Sequence, residues 1–258
     1  MKRIFSLIIT IWTFLHSLNA QPRFGLMGGF DISSIVPLVA NNDAITEQGS
    51  PNAFQQPIRQ FQKFQSVTRP FISVLMDMKI NKSIILQTGM EFIQKGFVAV
   101  DFWNIGDGLY NNLEYTLSYL EVPFIFFYGT SVGQGKAYFG AGPFFSYGFK
   151  GKVKSQYIIN PLYLQYNPNS HDSSVTQSIS YNRFIPGIDI ALAYELKFGL
   201  TLNITYNLGL VNVMNGTDPF SGLITADSQN TKQLLSVFKF GIGFMFNHTG
   251  KAKTNNSR

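Results

Sequence analysis

Leu200-Thr201-Leu202-Asn203-Ile204-Thr205-Tyr206-Asn207-Leu208-Gly209-Leu210 is the stretch on which the fold turns. Leu200, Leu202, Ile204, Tyr206, Leu208 and Leu210 share one parity, and Thr201, Asn203, Thr205, Asn207 and Gly209 share the other. Successive side chains of a β-strand point to opposite faces. This strand therefore has one wholly apolar face and one polar or small face.

Seven further segments repeat the pattern. Just upstream, Phe184, Ile188, Ile190, Leu192, Tyr194 and Leu196 oppose Gly187, Asp189, Ala191, Ala193 and Glu195. Downstream, Phe238, Phe240, Ile242, Phe244 and Phe246 oppose Lys239, Gly241 and Gly243. The others begin near Phe24, Ile72, Ile84, Leu120 and Ala137, the one from Leu120 alternating less cleanly. In each, the charged residues tend to share a face with Gly, Ala, Ser and Thr. Small residues belong in a tight interior, so the Phe, Leu and Ile face points outward, into lipid. A soluble, lipocalin-like barrel is the fold alternative, and it would put its charges outside.

Connector lengths support the same architecture. Long stretches (Ile35 to Arg69, Val98 to Asn112, Phe149 to Asn182, Val213 to Leu234) alternate with short ones at Asn81-Lys82, Gly129 to Gly135 and Lys197-Phe198-Gly199. Outer-membrane barrels have long extracellular loops and short periplasmic turns. The expectation is an all-β, eight-stranded antiparallel transmembrane β-barrel closed on itself, since an open edge in lipid leaves backbone groups unpaired. Both chain ends then lie in the periplasm.

Composition agrees. Of 258 residues only 13% are charged, against about 25% in ordinary globular chains, while 15% are aromatic, with 25 Phe. The absence of Cys excludes disulfide scaffolds, Cys-ligated metals and thiol nucleophiles; three His make a multi-His metal site untenable. Lys2 and Arg3, the apolar run Ile4 to Leu15 and a small residue at Ala20 read as a secretory signal peptide. The expected organisation is a signal peptide over 1–20, a barrel over 21–246 and a basic periplasmic tail over 247–258, in the outer membrane after cleavage near Ala20.

Several stretches resemble the PorT-like outer-membrane β-barrel family of Gram-negative bacteria, often labelled "porin family". They are Phe24–Ile35 (FGLMGGFDISSI), Tyr119–Phe124 (YLEVPF), Tyr138–Gly148 (YFGAGPFFSYG), Ile188–Leu196 (IDIALAYEL), Leu202–Val213 (LNITYNLGLVNV) and Phe240–Phe246 (FGIGFMF). The resemblance implies an eight-stranded barrel, most relatives of which have no assigned activity; the namesake takes part in protein secretion across the outer membrane. Such barrels often end on an aromatic residue, here Phe246, which a twelve-residue tail follows.

Ten charged residues are expected in the lumen: Asp31, Asp77, Lys79, Glu91, Lys95, Glu121, Arg183, Asp189, Glu195 and Lys239. They suit either an ion pathway or, more in keeping with the narrow interior of eight strands, a salt-bridge network that fills it. His171-Asp172-Ser173-Ser174 has the residue types of a hydrolase, but adjacency in sequence is not triad geometry. Gly133-Gln134-Gly135-Lys136 lacks the first Gly and the final Ser or Thr of a phosphate loop and reads as a turn. No catalytic, cofactor-binding or metal residue is assigned, and no cofactor is expected. The expected function is a non-enzymatic outer-membrane protein, structural or partner-binding in envelope assembly or secretion. The alternative is a small-solute channel or ligand-binding porin-like protein. The expected partners are outer-membrane lipid and other envelope or secretion proteins, with no nucleic acid.

Overall fold

The computed structural model describes residues 22–39, 60–102, 109–159, 173–213 and 231–246. The signal segment 1–20, the tail 247–258 and His171-Asp172 lie outside them. The elements are β1 (Arg23–Val39), β2 (Gln60–Lys79), β3 (Ile84–Phe102), β4 (Leu109–Val132), β5 (Gly135–Ile159), β6 (Ser173–Ser178), β7 (Phe184–Leu196), β8 (Leu200–Gly209) and β9 (Thr231–Met245). Neighbours pair antiparallel from β4 through β3, β2, β1, β9, β8 and β7 to β5, and β4–β5 pairing closes the ring. Eight strands form the barrel. The short β6 pairs with the far half of β5, Lys152 to Tyr157.

Lipid-facing side chains explain the strand faces. Exposed outward apolar residues run from Ile72 to Ile80 along and just past β2, Leu120 to Tyr128 on β4 and Phe139 to Phe149 on β5. They run from Phe184 to Leu192 on β7, Leu202 to Leu210 along and just past β8, and Phe238 to Phe246 along and just past β9. These spans match the 9–11 residues with which a tilted strand crosses a bilayer. A soluble barrel would not place half-exposed Phe, Leu and Ile in such a band, so the lipocalin-like alternative is set aside.

The strands outrun that band. β4 has 24 residues and β5 has 25, whereas β8 has 10. The expected long loops are correspondingly shorter: β1 continues to Val39, β2 begins at Gln60, β3 reaches Phe102 and β5 reaches Ile159. The expected loop Phe149–Asn182 also contains β6. These extensions were unreadable by a lipid-facing criterion because their outward residues, such as Thr68, Glu114 and Thr116, are polar. Two bulges mark the change. Ser118 pairs with Lys150 and Tyr119 with Gly148, leaving Phe149 as the extra residue of β5. β2 carries another irregularity between Ser66 and Phe71. An extra residue re-aims the side chains beyond it.

The short turns follow from local chemistry. Gly133, at φ +57°, starts the two-residue β4–β5 turn, and Gly199, at φ +101°, ends the β7–β8 turn. Both are backbone conformations that Gly adopts without penalty. Inside the wall, a Cβ on Gly142 would fall 1.9 Å from the Phe124 carbonyl oxygen. That close approach accounts for a glycine facing the lumen there.

Candidate functional site in the barrel lumen

Side chains fill the lumen at three levels. At the end of the short turns, Arg23 at the start of β1 reaches across the interior. Its Nη1 donates to Glu195 Oε1 at 2.7 Å, and its Nη2 donates to Glu195 Oε2 at 3.0 Å and Asp77 Oδ2 at 2.9 Å. Gln87 Nε2 donates to the other Asp77 oxygen at 2.8 Å, and Tyr138 Oη donates to Glu195 Oε2 at 3.2 Å. The cluster joins β1, β2, β3, β5 and β7.

The middle level centres on Glu121, which is fully buried. Its Oε2 accepts from Lys95 Nζ and from Ser146 Oγ, each at 2.5 Å. Its Oε1 accepts from Asn207 Nδ2 at 2.9 Å and Lys239 Nζ at 3.0 Å. Lys239 Nζ also donates to Glu91 Oε1 at 3.0 Å, and Lys95 Nζ to Asn207 Oδ1 at 3.1 Å. The Lys95 ammonium lies 4.9 Å from the Phe144 ring centroid, a cation–π distance. Asp31 and Asp189 are fully buried as well, and neither carboxylate makes a hydrogen bond of good geometry among the described residues, although Ser33 stands beside Asp31 and Asn207 beside Asp189. This level therefore holds four carboxylates against two ammonium groups. A buried charge is costly unless paired, so the surplus acid is its least satisfied feature.

Toward the long loops the interior becomes apolar. Phe97 and Tyr115 stack with centroids 4.5 Å apart, Phe64 packs edge-on to Phe97 at 5.7 Å, and Tyr119 meets Tyr181 edge-on at 5.8 Å. Leu113, Leu117 and Val153 are buried beside them. On the wall of this section Arg69 is ion-paired to Glu114 and donates to Thr116 Oγ1 at 3.2 Å.

Of the ten residues expected in the lumen, eight are buried within it: Asp31, Asp77, Glu91, Lys95, Glu121, Asp189, Glu195 and Lys239. Two need correction. Lys79 keeps the inward parity of β2 but is exposed at the rim of the short-turn mouth, because the strand ends there. Arg183 precedes β7 and is exposed for the same kind of reason. Arg23, Ser146, Gln87 and Asn207 were not singled out from sequence. Parity would have found Arg23, two residues before Gly25, and the others already lay on the polar faces. Arg69 and Glu114 went unread because they lie on the outer face of strand sections beyond the apolar lipid-facing band.

These side chains can hold the strands in register and obstruct the lumen. Ser146, a hydroxyl in the layer, is committed to Glu121. Among the described residues no group of three or more His, Asp and Glu side chains is placed to hold a metal ion.

Residues 19–215 match the family model described as the outer membrane protein beta-barrel domain. The chain belongs to that family and is an integral outer-membrane protein; β9 lies beyond the matched region. No curated protein matches it in sequence. Among solved structures, it is similar to Ail, the attachment invasion locus protein of Yersinia pestis, at 8% identity and a TM-score of 0.31, covering 88% of this chain and 99% of that one. It is similar to Neisserial surface protein A at 11% identity and a TM-score of 0.37, covering 86% and 97%. OprG from Pseudomonas aeruginosa gives 11% identity and a TM-score of 0.34, covering 88% and 97%.

Proposed function

From membership of that family we propose that the chain is a non-enzymatic outer-membrane scaffold acting through partners in envelope assembly or secretion. On this reading a signal peptide over 1–20 is removed near Ala20, and the basic tail 247–258 stays in the periplasm. The PorT-like resemblance favours secretion as the process. One observation carries the reading: the lumen is packed at its middle level, while β2 to β5 stand tall beyond the lipid-facing band. Glu121, Lys95 and Lys239 are 0–4% exposed there, so that among the described residues the middle of the lumen is filled rather than open to solutes. The tall wall instead offers a water-facing surface on the long-loop side, where a barrel of this type meets its surroundings.

The test is native size. The tagged protein, extracted from outer membranes in mild detergent, is expected in an assembly much larger than one barrel, and the co-purifying chains identify the process. Recovery as a lone barrel, with discrete conductance in planar bilayers that Asp189→Ala alters, overturns the scaffold reading in favour of a channel.

A further inference from the structure

The short-turn mouth of the barrel holds a polar cavity of about 250 Å³. Arg23, Lys79, Lys82 and Lys136 line it, with the hydroxyls of Ser83 and Ser131, and no carboxylate does. The two nearest acids explain why the lysines stay unpaired. Glu195 is the cross-strand partner of Lys136, yet Arg23 takes both its oxygens and Tyr138 donates to one of them. Asp77 lies two residues before Lys79, yet Arg23 and Gln87 occupy its two oxygens. Among the described residues Lys79, Lys82 and Lys136 form no ion pair. Four cations over two fully engaged carboxylates leave the mouth with two net positive charges.

The cavity is also pre-shaped. Asn81 Oδ1 accepts from the backbone N–H groups of Ser83 and Ile84, both at 2.8 Å, which fixes the β2–β3 turn. The Gly129 N–H donates to the Ser83 carbonyl at 2.8 Å, tying that turn to the end of β4. Lysines on two adjoining, immobilised turns therefore converge on one space.

We propose that this cavity binds a phosphate group. Converging ammonium groups outnumber the two oxygens of a carboxylate, whereas a phosphate offers an oxygen to each; lysine serves such groups as a point charge. The volume admits a phosphate with the few atoms attached to it. The mouth lies at the end of the lipid-facing band, beside the outward Tyr128, which is 61% exposed. The phosphate can therefore come from a soluble phosphomonoester or from a phospholipid headgroup of the inner leaflet.

The test uses the full chain purified in detergent and two probes. Glycerol phosphate is titrated in solution, and phosphatidylglycerol is compared with phosphatidylcholine in nanodiscs, both by phosphorus NMR. Wild-type protein is expected to show saturable binding to glycerol phosphate, to phosphatidylglycerol, or to both, which assigns the source. The combined Lys79→Gln, Lys82→Gln and Lys136→Gln variant is expected to lose about tenfold or more in affinity, the loss expected for one or more charge-assisted hydrogen bonds. The Lys150→Gln and Lys152→Gln variant, altered on exposed positions of β5 away from the mouth, is expected to bind as wild type. No saturable binding of either probe, an unaffected triple variant, or equal losses in both variants overturns the proposal.

Discussion

Toward the short turns, β4 points Leu120, Phe126 and Tyr128 outward and Glu121 inward. Toward the long loops it buries Leu113, Tyr115 and Leu117 and turns Glu114 and Thr116 toward the outer surface. One strand thus runs through two sections whose outer faces differ in kind, although the membrane section also buries the apolar Ile125 and Phe127 beside Glu121. The backbone alternation is the same in both; the solvent outside differs. Lipid accepts Phe and Leu but no charge, so the membrane section keeps its polar groups in the lumen and must pair them there. Water rewards the burial of apolar area, so the emergent section keeps an aromatic core. The bulges at Phe149 on β5 and between Ser66 and Phe71 on β2 sit where the two regimes meet.

The largest effect expected from this contrast is in the lumen of the membrane section. Glu121→Ala removes the acceptor of four donors and leaves the buried Lys95 ammonium without its carboxylate, while Lys239 keeps Glu91. Breaking a buried ion pair from one side costs about 3–5 kcal/mol. Urea unfolding of the barrel in lipid vesicles is expected to show a loss of that order. A loss below about 1 kcal/mol would mean that water reaches this layer freely and that the lumen is not packed as described.

A smaller pair of changes tests the outer surface directly. Ile204 on β8 is 46% exposed, and in water its replacement would matter little. Facing lipid, Ile204→Arg is expected to cost about 2–4 kcal/mol. Thr68→Arg, on an exposed position of β2 in the emergent section, is expected to stay within about 0.5 kcal/mol. Equal costs in the two variants would remove the distinction between the sections.

The same contrast explains what could be read from the sequence. The membrane section was legible because lipid demands an uninterrupted apolar face, as in Leu200 to Leu210 and Phe238 to Phe246. The emergent section was not, because its core residues Leu113, Tyr115 and Leu117 fall between the connector read as ending at Asn112 and the strand read from Leu120, and the parity of β5 shifts at Phe149. In the lumen, the identity of the inward charges followed from parity, but their pairing did not. Glu121 meets Lys239 and Asn207 at sequence separations of 118 and 86, and only barrel closure brings them together. Nothing in the alternation distinguishes the engaged Glu121 from the poorly satisfied Asp31.

That difference between carboxylates of one layer gives the third prediction. Asp31→Asn and Asp189→Asn each remove a buried charge without breaking a hydrogen bond of good geometry among the described residues. Each is expected to raise stability at neutral pH by about 1–3 kcal/mol, the scale of an unsatisfied buried group. The same urea titration reads it. Destabilisation by either variant would mean that the carboxylate has a partner, such as a cation or an ordered water, that holds it in place.

The smallest effect belongs to the ion pair of the emergent section, and it sharpens the comparison most because the chemistry is shared. Arg69 and Glu114 are paired, as Lys95 and Glu121 are, but their side chains are 23% and 31% exposed against 2% and 0%. Water screens the first pair and solvates either partner when the other is removed. Exposed pairs contribute about 0–1 kcal/mol, so Arg69→Ala is expected to fall in that range. Added salt should shrink the difference from wild type further, while leaving the cost of Glu121→Ala nearly unchanged. A loss above about 2 kcal/mol for Arg69→Ala, insensitive to salt, would place that wall of the barrel in surroundings as dry as the lumen. The boundary between the two sections would then lie farther toward the long loops than Leu120 and Phe149.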